Sequence, residues 1–170
     1  MTDEATVFHI RPLHDKDRNW VAHFMDEHWR STKLVSRGRV FYGHLLPGFA
    51  AFHGSTDHCT GKAIGLLTYH VENQGCEVLT LDSIEQGIGI GSALLDAVKT
   101  AAIHAGIKRL WLITTNDNLH ALRFYQKRGF RLGHIYHNAL EEARKLKPQI
   151  PILGFHQIPI RDEIELYVNL

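Results

Sequence analysis

Apolar residues change period several times along this 170-residue chain, and each change marks an element. Thr6 to Arg11 reads as a first strand. Trp20, Val21, Phe24, Met25 and Trp29 then recur at helical spacing, which predicts a helix from about His14 to Trp29. A shorter helical or irregular piece is expected over Thr32 to Val40. Phe49 to His53 and Ala63 to Val71 read as strands flanking the polar loop Gly54 to Gly61. Asn73-Gln74-Gly75 is a hairpin turn into a strand over Glu77 to Asp82. Leu94, Ala97, Val98, Ala101 and Ala102 share one face of a helix spanning Gly89 to His104, which Gly106 stops. Arg109 to Thr114, with Leu-Trp-Leu-Ile at its centre, has the continuous apolar character of a strand buried on both faces. A helix follows Asn118, and Phe130 to His137 is another strand. Asn138-Ala-Leu-Glu141 has capping-box spacing and opens a short helix to about Lys147. Pro148, Pro151, Pro159 and Gly154 keep the next stretch extended or turning, before a last strand over Asp162 to Val168.

Leu79 to Leu95 carries the chemistry. Here a strand runs into Gln86-Gly87-Ile88-Gly89-Ile90-Gly91 and a helix begins at once. Glycines at alternate positions let the backbone turn sharply with no Cβ in the way. The N–H groups left unpaired at the helix start then point together at an anion, which the helix dipole also favours. The dinucleotide fingerprint G-x-G-x-x-G fails, because Ser92 and Leu94 stand where a third glycine is needed. The P-loop fails too: Gly61-Lys62 has Thr56 at the leading position and Ala63 at the last.

Gln86-x-x-Gly89-x-Gly91 instead resembles the coenzyme A pyrophosphate loop of the GNAT N-acetyltransferase superfamily. About thirty residues on, Asn118-x-x-Ala121-x-x-x-Tyr125-x-x-x-Gly129-Phe130 resembles the second half of that family's site. The resemblance is strongest over Val78 to Phe130, and the element order from Ala5 follows it. It implies an α/β fold of the GNAT type, with a mixed central sheet of about seven strands and helices on both faces. It implies a single domain over residues 1–170, with a helix-and-loop insertion at about 138–161 walling the acceptor pocket or building a subunit contact. The strands Glu77 to Asp82 and Arg109 to Thr114 are expected to splay apart, with the pantetheine arm in the gap.

The activity implied is transfer of the acetyl group of acetyl-CoA to an amine by direct attack in a ternary complex. A different class of reading is a non-catalytic acyl-CoA-binding or sensing module. Coenzyme binding falls to Gln86, Gly87, Ile88, Gly89, Ile90, Gly91 and Ser92, chiefly through backbone N–H groups, with the Ser92 hydroxyl as a further donor. By resemblance, Leu81 offers its N–H to the acetyl carbonyl. Asn118 either contacts the pantetheine arm or caps its helix. Tyr125 matches the tyrosine proposed to protonate the departing thiolate in many members, a role a phenol fills only when held close; otherwise it is an aromatic packed on a helix face beside Phe124. Glu77 lies near where some members carry a catalytic base; Asp82, His70, His44 and His120 are further candidates, and a water-relayed base is equally allowed. Loop positions often basic in the family are Gln86 and Ile88 here. Arg123, Lys127 and Arg128 either supply that charge or form a solvated helix face.

Composition narrows the partners. Hydrophobic content of 44% and charged content of 22% suit an ordinary globular domain. A net charge of +1 gives no basic field for nucleic acid and leaves small-molecule or protein amines open as acceptors. No signal peptide or membrane span is expected, and a reducing cytoplasmic setting is the default for Cys59 and Cys76, whose spacing forces no disulfide. Thirteen histidines form no metal-ligand spacing, so no metal is expected; His53 and His58 are the one pair that flanks a polar loop. Trp29 to Tyr42, with Ser31, Ser36 and Arg37, is the expected acceptor lining. Ile150, Ile152, Leu153, Phe155 and Ile158 are too apolar for a free linker, so the insertion should pack on the domain or on a second subunit, a homodimer being favoured.

Overall fold

The computed structural model describes residues 8–54 and 62–170. Strands β1 (Phe8–Pro12), β4 (Gly48–His53), β5 (Ala63–Glu72), β6 (Gly75–Ser83), β7 (Arg109–Thr115), β8 (Arg131–Tyr136) and β9 (Glu163–Asn169) form one sheet in the order β1-β4-β5-β6-β7-β9-β8. Every pairing is antiparallel except β6 with β7. That parallel pair needs a crossover, which helix α2 (Ile90–His104) supplies. Leu94, Leu95, Val98 and Ala102 of α2 pack on one face of the sheet with Leu67, Val78, Leu110 and Leu166. Helix α1 (Arg18–Trp29) covers the opposite face, where Val21, Phe24 and Met25 meet Ala50, Phe52 and Leu66. The architecture is the expected mixed α/β sheet with helices on both sides.

Two local irregularities shape the centre of the sheet. The β6–β7 ladder ends at Val78↔Leu112, although both strands continue, to Ser83 and Thr115. Just there β6 carries a bulge: Thr68 faces Thr80 and Tyr69 faces Val78, so Leu79 is an extra residue with no partner on β5. The bulge breaks the two-residue alternation. Val78 and Leu81 pack on the α2 face, while Leu79 packs on the α1 face. Paired threonines hold it, Thr68 N–H donating to Thr80 Oγ1 at 3.1 Å and the two hydroxyls lying 2.8 Å apart. The extra twist steers the end of β6 away from β7, as the resemblance led us to expect.

The stretch expected to be helical or irregular over Thr32 to Val40 is instead a hairpin of β2 (Lys33–Ser36) and β3 (Arg39–Tyr42). Its two-residue turn is Arg37-Gly38, both at positive φ, the geometry that matches strand twist. Leu34 and Phe41 are its buried anchors, facing α1. The capping box at Asn138 is also absent. Asn138 is left-handed and its side chain caps nothing; its N–H donates instead to Asp162 Oδ1 at 2.8 Å, so a buried carboxylate from the start of β9 fixes where α4 (Ala139–Leu146) begins. Within the insertion, α4 does pack, burying Leu140 and Ala143. Lys33 Nζ donates to Leu146 O at 2.6 Å and Lys147 Nζ to Lys33 O at 2.7 Å, pinning α4 to β2. The loop beyond it does not follow: Ile152 and Phe155 are 64% and 62% exposed. Cys76 is buried, which pushes its thiol up to about 12; Cys59 and His58 lie outside the described residues.

A buried polar knot ties α1 to the sheet edge. Asp17, in the 3-10 turn ahead of α1, accepts from Arg11 Nη1 and Nη2 at 2.7 and 2.9 Å, from Trp20 Nε1 at 2.7 Å and from His14 N–H at 2.8 Å.

Candidate functional site

The glycine loop sits at the start of α2 as the sequence predicts. Gly87 and Gly89 take φ of 84° and 90°, conformations that a side chain would strain, and nothing lies within 4 Å of where their Cβ atoms would be. The first bond of the α2 ladder runs from Ala93 N–H to Gly89 O at 3.0 Å. The N–H groups of Ile90, Gly91 and Ser92 therefore precede the ladder and project from the helix end. Gly91 instead sits close to a neighbour: a Cβ there would come within 3.2 Å of Phe124 Cζ on helix α3 (Leu119–Gln126), so that ring would have to give slightly. Gln86 is exposed and Ile88 packs partly into the α2-side core.

Charge enters this loop from a direction the sequence left open. Arg128, just past α3, donates through Nε and Nη2 to Ser92 Oγ at 3.0 and 2.5 Å and through Nη1 to Phe124 O at 2.9 Å. Its guanidinium lies 3.6 Å from the Phe124 ring centroid, a stacked cation–π contact. The hydroxyl hydrogen of Ser92 stays available to an anion because its oxygen is the acceptor in both bonds. Arg123 and Lys127 are exposed, as a solvated face would have them.

The gap between the splayed ends of β6 and β7 adjoins this loop. Leu81 lies on β6 beyond the end of the shared ladder. Tyr125 is 7% exposed, its ring packed edge-on against Phe124 and Phe130. Burial, with the nearby Asp82 charge, pushes its phenol well above the ordinary tyrosine value, so it stays protonated. Asn118 is a helix N-cap: its Oδ1 accepts from Ala121 N–H at 3.0 Å, which leaves its amide hydrogens for other partners.

Asp82, next to Leu81, faces the opposite side of the sheet. Its partner on β5 is Leu66, which belongs to the α1-side core, whereas Leu81 pairs with Leu67 of the α2-side core. Trp29, the last residue of α1, donates Nε1–H to Asp82 Oδ2 at 2.6 Å. Desolvation raises the carboxyl to about 6, against the pull of that hydrogen bond and of His28.

Glu77 is placed differently. It lies within the intact part of the β6–β7 ladder, opposite Trp111, and is 3% exposed. The tip of the β2–β3 hairpin closes over it, with Ser36 Oγ donating to Glu77 Oε1. Arg37 N–H donates to the buried Glu163 at 3.1 Å, and the Arg37 guanidinium stacks between Trp111 and Tyr136, 5.3 and 5.0 Å from their centroids. Desolvation holds both carboxyls above the usual carboxylate range. Of the expected acceptor lining, Ser36 and Arg37 thus latch the hairpin, Ser31 accepts from Lys33 N–H at 3.0 Å, Tyr42 is exposed, and Trp29 alone reaches the gap. Phe155 N–H donates to Asp117 Oδ2 at 2.9 Å, tying the insertion loop to the turn after β7, while the Phe155 side chain is exposed.

The molecule is thus an α/β domain in which a mixed sheet's one parallel pair parts beside a glycine turn and a helix start, and residues 14–130 match the acetyltransferase (GNAT) family. The chain belongs to that family. It is 41% identical over 161 residues to the uncharacterized protein YxbD of Bacillus subtilis strain 168, covering 95% of this chain and 98% of that one. Its fold is similar to the IAA acetyltransferase from Bacillus cereus ATCC 14579, with a TM-score of 0.66 at 20% identity over 96% of this chain and 100% of the other. It is similar also to a GNAT family acetyltransferase from Elizabethkingia anophelis with acetyl-CoA bound, with a TM-score of 0.62 at 23% identity over 96% and 98%.

Proposed function

We propose that this protein transfers the acetyl group of acetyl-CoA to a primary amine, small or protein-borne, by direct attack in a ternary complex. The observation that carries this is the continuity of the glycine loop, the β6–β7 gap and Tyr125: an anion cradle, a slot with unpaired strand groups, and a proton donor, in that order. The family match and the acetyl-CoA held by the Elizabethkingia relative support the coenzyme. The diphosphate of the coenzyme meets the Ile90, Gly91 and Ser92 N–H groups, and the Arg128 guanidinium lies beside them. The acetyl carbonyl takes the Leu81 N–H, which stabilises the oxyanion that forms on attack. Tyr125 then gives its proton to the leaving thiolate. A phenol raised by burial is a reasonable donor here because the thiolate is expelled into the same desolvated slot.

A non-catalytic acyl-CoA-binding module is the second reading, favoured by one observation: Glu77, the first candidate for the base, is sealed beneath the hairpin tip. No helix among the described residues is long and apolar enough to cross a membrane.

The cradle has its own test. Gly89→Val forces a branched residue into the left-handed region and sets its side chain over the phosphate-facing N–H groups. Acetyl-CoA affinity by calorimetry should fall at least tenfold, about 1.4 kcal/mol, in a folded variant. Unchanged affinity would remove coenzyme binding from this loop.

A further inference from the structure

We infer that Asp82, on the acceptor side of the gap, is the base that takes the amine proton during acetyl transfer, with Trp29 holding its carboxylate in place; this rests on the acetyl-transfer reading above. The extra residue in β6 carries the inference. Because Leu79 resets the alternation, Leu81 turns to the α2 face and Asp82 to the α1 face, one residue from the N–H assigned to the acetyl carbonyl. Tyr125 and the glycine loop lie on the α2 face, so donor and acid stand on one side of the split and Asp82 on the other. An amine entering from the α1 face meets Asp82 as it approaches the carbonyl carbon.

Its carboxylate is preset for this. Trp29 occupies Oδ2, and among the described residues no hydrogen bond reaches Oδ1. The groups around it are few: α1 presents the Trp29 indole and His28, α3 presents Tyr125, and β5 presents the uncharged Leu66. Glu77 lies under Ser36 within the closed part of the ladder and has no such approach. Trp29 is itself a partly exposed aromatic surface beside this entry.

The step balances within the site. The amine lone pair forms the C–N bond, and the nitrogen, now positively charged, passes one proton to Asp82 Oδ1. The tetrahedral adduct collapses, the C–S bond breaks, and the thiolate takes the Tyr125 proton. The products are the N-acetyl amine and free coenzyme A, and solvent resets Asp82 and Tyr125.

Asp82→Asn is close to isosteric and still accepts from the Trp29 indole, so the fold should hold. The probes are acetyl-CoA with a panel of primary amines: 2-phenylethylamine, spermidine, lysine and a short peptide with a free N-terminus. We expect turnover to fall by roughly 10²–10⁴-fold with acetyl-CoA affinity nearly unchanged. Added formate should restore part of the rate to Asp82→Ala. In the wild type the rate should rise with pH through a limb near 6, the value to which the site lifts this carboxyl. Trp29→Phe removes a bond that lowers it, so that limb should move to higher pH. A rate in Asp82→Asn within a few-fold of wild type, loss of coenzyme affinity in its place, or an unmoved limb in Trp29→Phe overturns the assignment. A wild type that binds acetyl-CoA but acetylates no amine overturns the acetyl-transfer reading, and this base with it. An active wild type with an active Asp82→Asn overturns the base alone.

Discussion

Tyr125→Phe should lower the maximal rate of acetyl transfer by roughly 10²–10⁴-fold, the worth of a positioned general acid. The substitution keeps the ring and its edge contacts with Phe124 and Phe130, and removes only the hydroxyl at the gap. Among the described residues that hydroxyl makes no hydrogen bond, so the thermal midpoint should hardly move. Acetyl-CoA affinity should also hold, because the hydroxyl is needed when the thiolate leaves and not when the thioester binds. Rapid-mixing turnover beside calorimetric binding separates the outcomes. A rate within a few-fold of wild type makes Tyr125 a packing residue. Lost affinity at an unchanged maximal rate makes the hydroxyl a ground-state contact.

Asp17→Asn should destabilise the fold by about 3 kcal/mol, within the range seen when one partner of a buried ion pair is removed. Four donors from Arg11, Trp20 and His14 converge on this carboxylate, which is 3% exposed. The Arg11 guanidinium first, with the Trp20 and His14 N–H groups, holds the Asp17 carboxyl well below the usual carboxylate range against the opposing cost of burial. A folded value below the unfolded one, about 3.9, means the stabilisation is fully present above that unfolded value. It is lost as pH falls below it toward the folded value. Denaturant unfolding at pH 7 and at pH 3 should therefore show a large gap between wild type and variant that narrows in acid. A gap under about 0.5 kcal/mol at pH 7 would show that the knot contributes little.

How much of this was legible in the chain follows the range of the interactions involved. The glycine loop, α2 and β7 are written in local terms: glycines at alternate positions, a helical stripe from Leu94 to Ala102, and a continuous apolar strand. The β2–β3 hairpin is hard to read from the chain because only Leu34 and Phe41 show its inward apolar face, and Arg37-Gly38 is a weak turn signal beside Asn-Gly. Asn138 kept its helix but not its capping role, since a carboxylate 24 residues on takes over the helix start. The contacts that organise the site are longer still. Trp29 reaches Asp82 across 53 positions and Arg128 reaches Ser92 across 36, and no periodicity encodes either. The bulge at Leu79 is equally silent, since LTLD alternates normally on paper and the extra residue exists only against β5. A local signal for Arg128 did exist: it stands four residues after Phe124, the spacing at which a helix brings two side chains together.

Acetyl transfer is tested most directly by measuring thiol release from acetyl-CoA by the wild-type protein, with and without the amine panel, and weighing the amine products by mass spectrometry. An N-acetyltransferase releases thiol only when an amine is present, one equivalent for each amine that gains an acetyl group. Tight acetyl-CoA binding with no amine-dependent release and no acetylated product would contradict it, and leave a coenzyme-binding module.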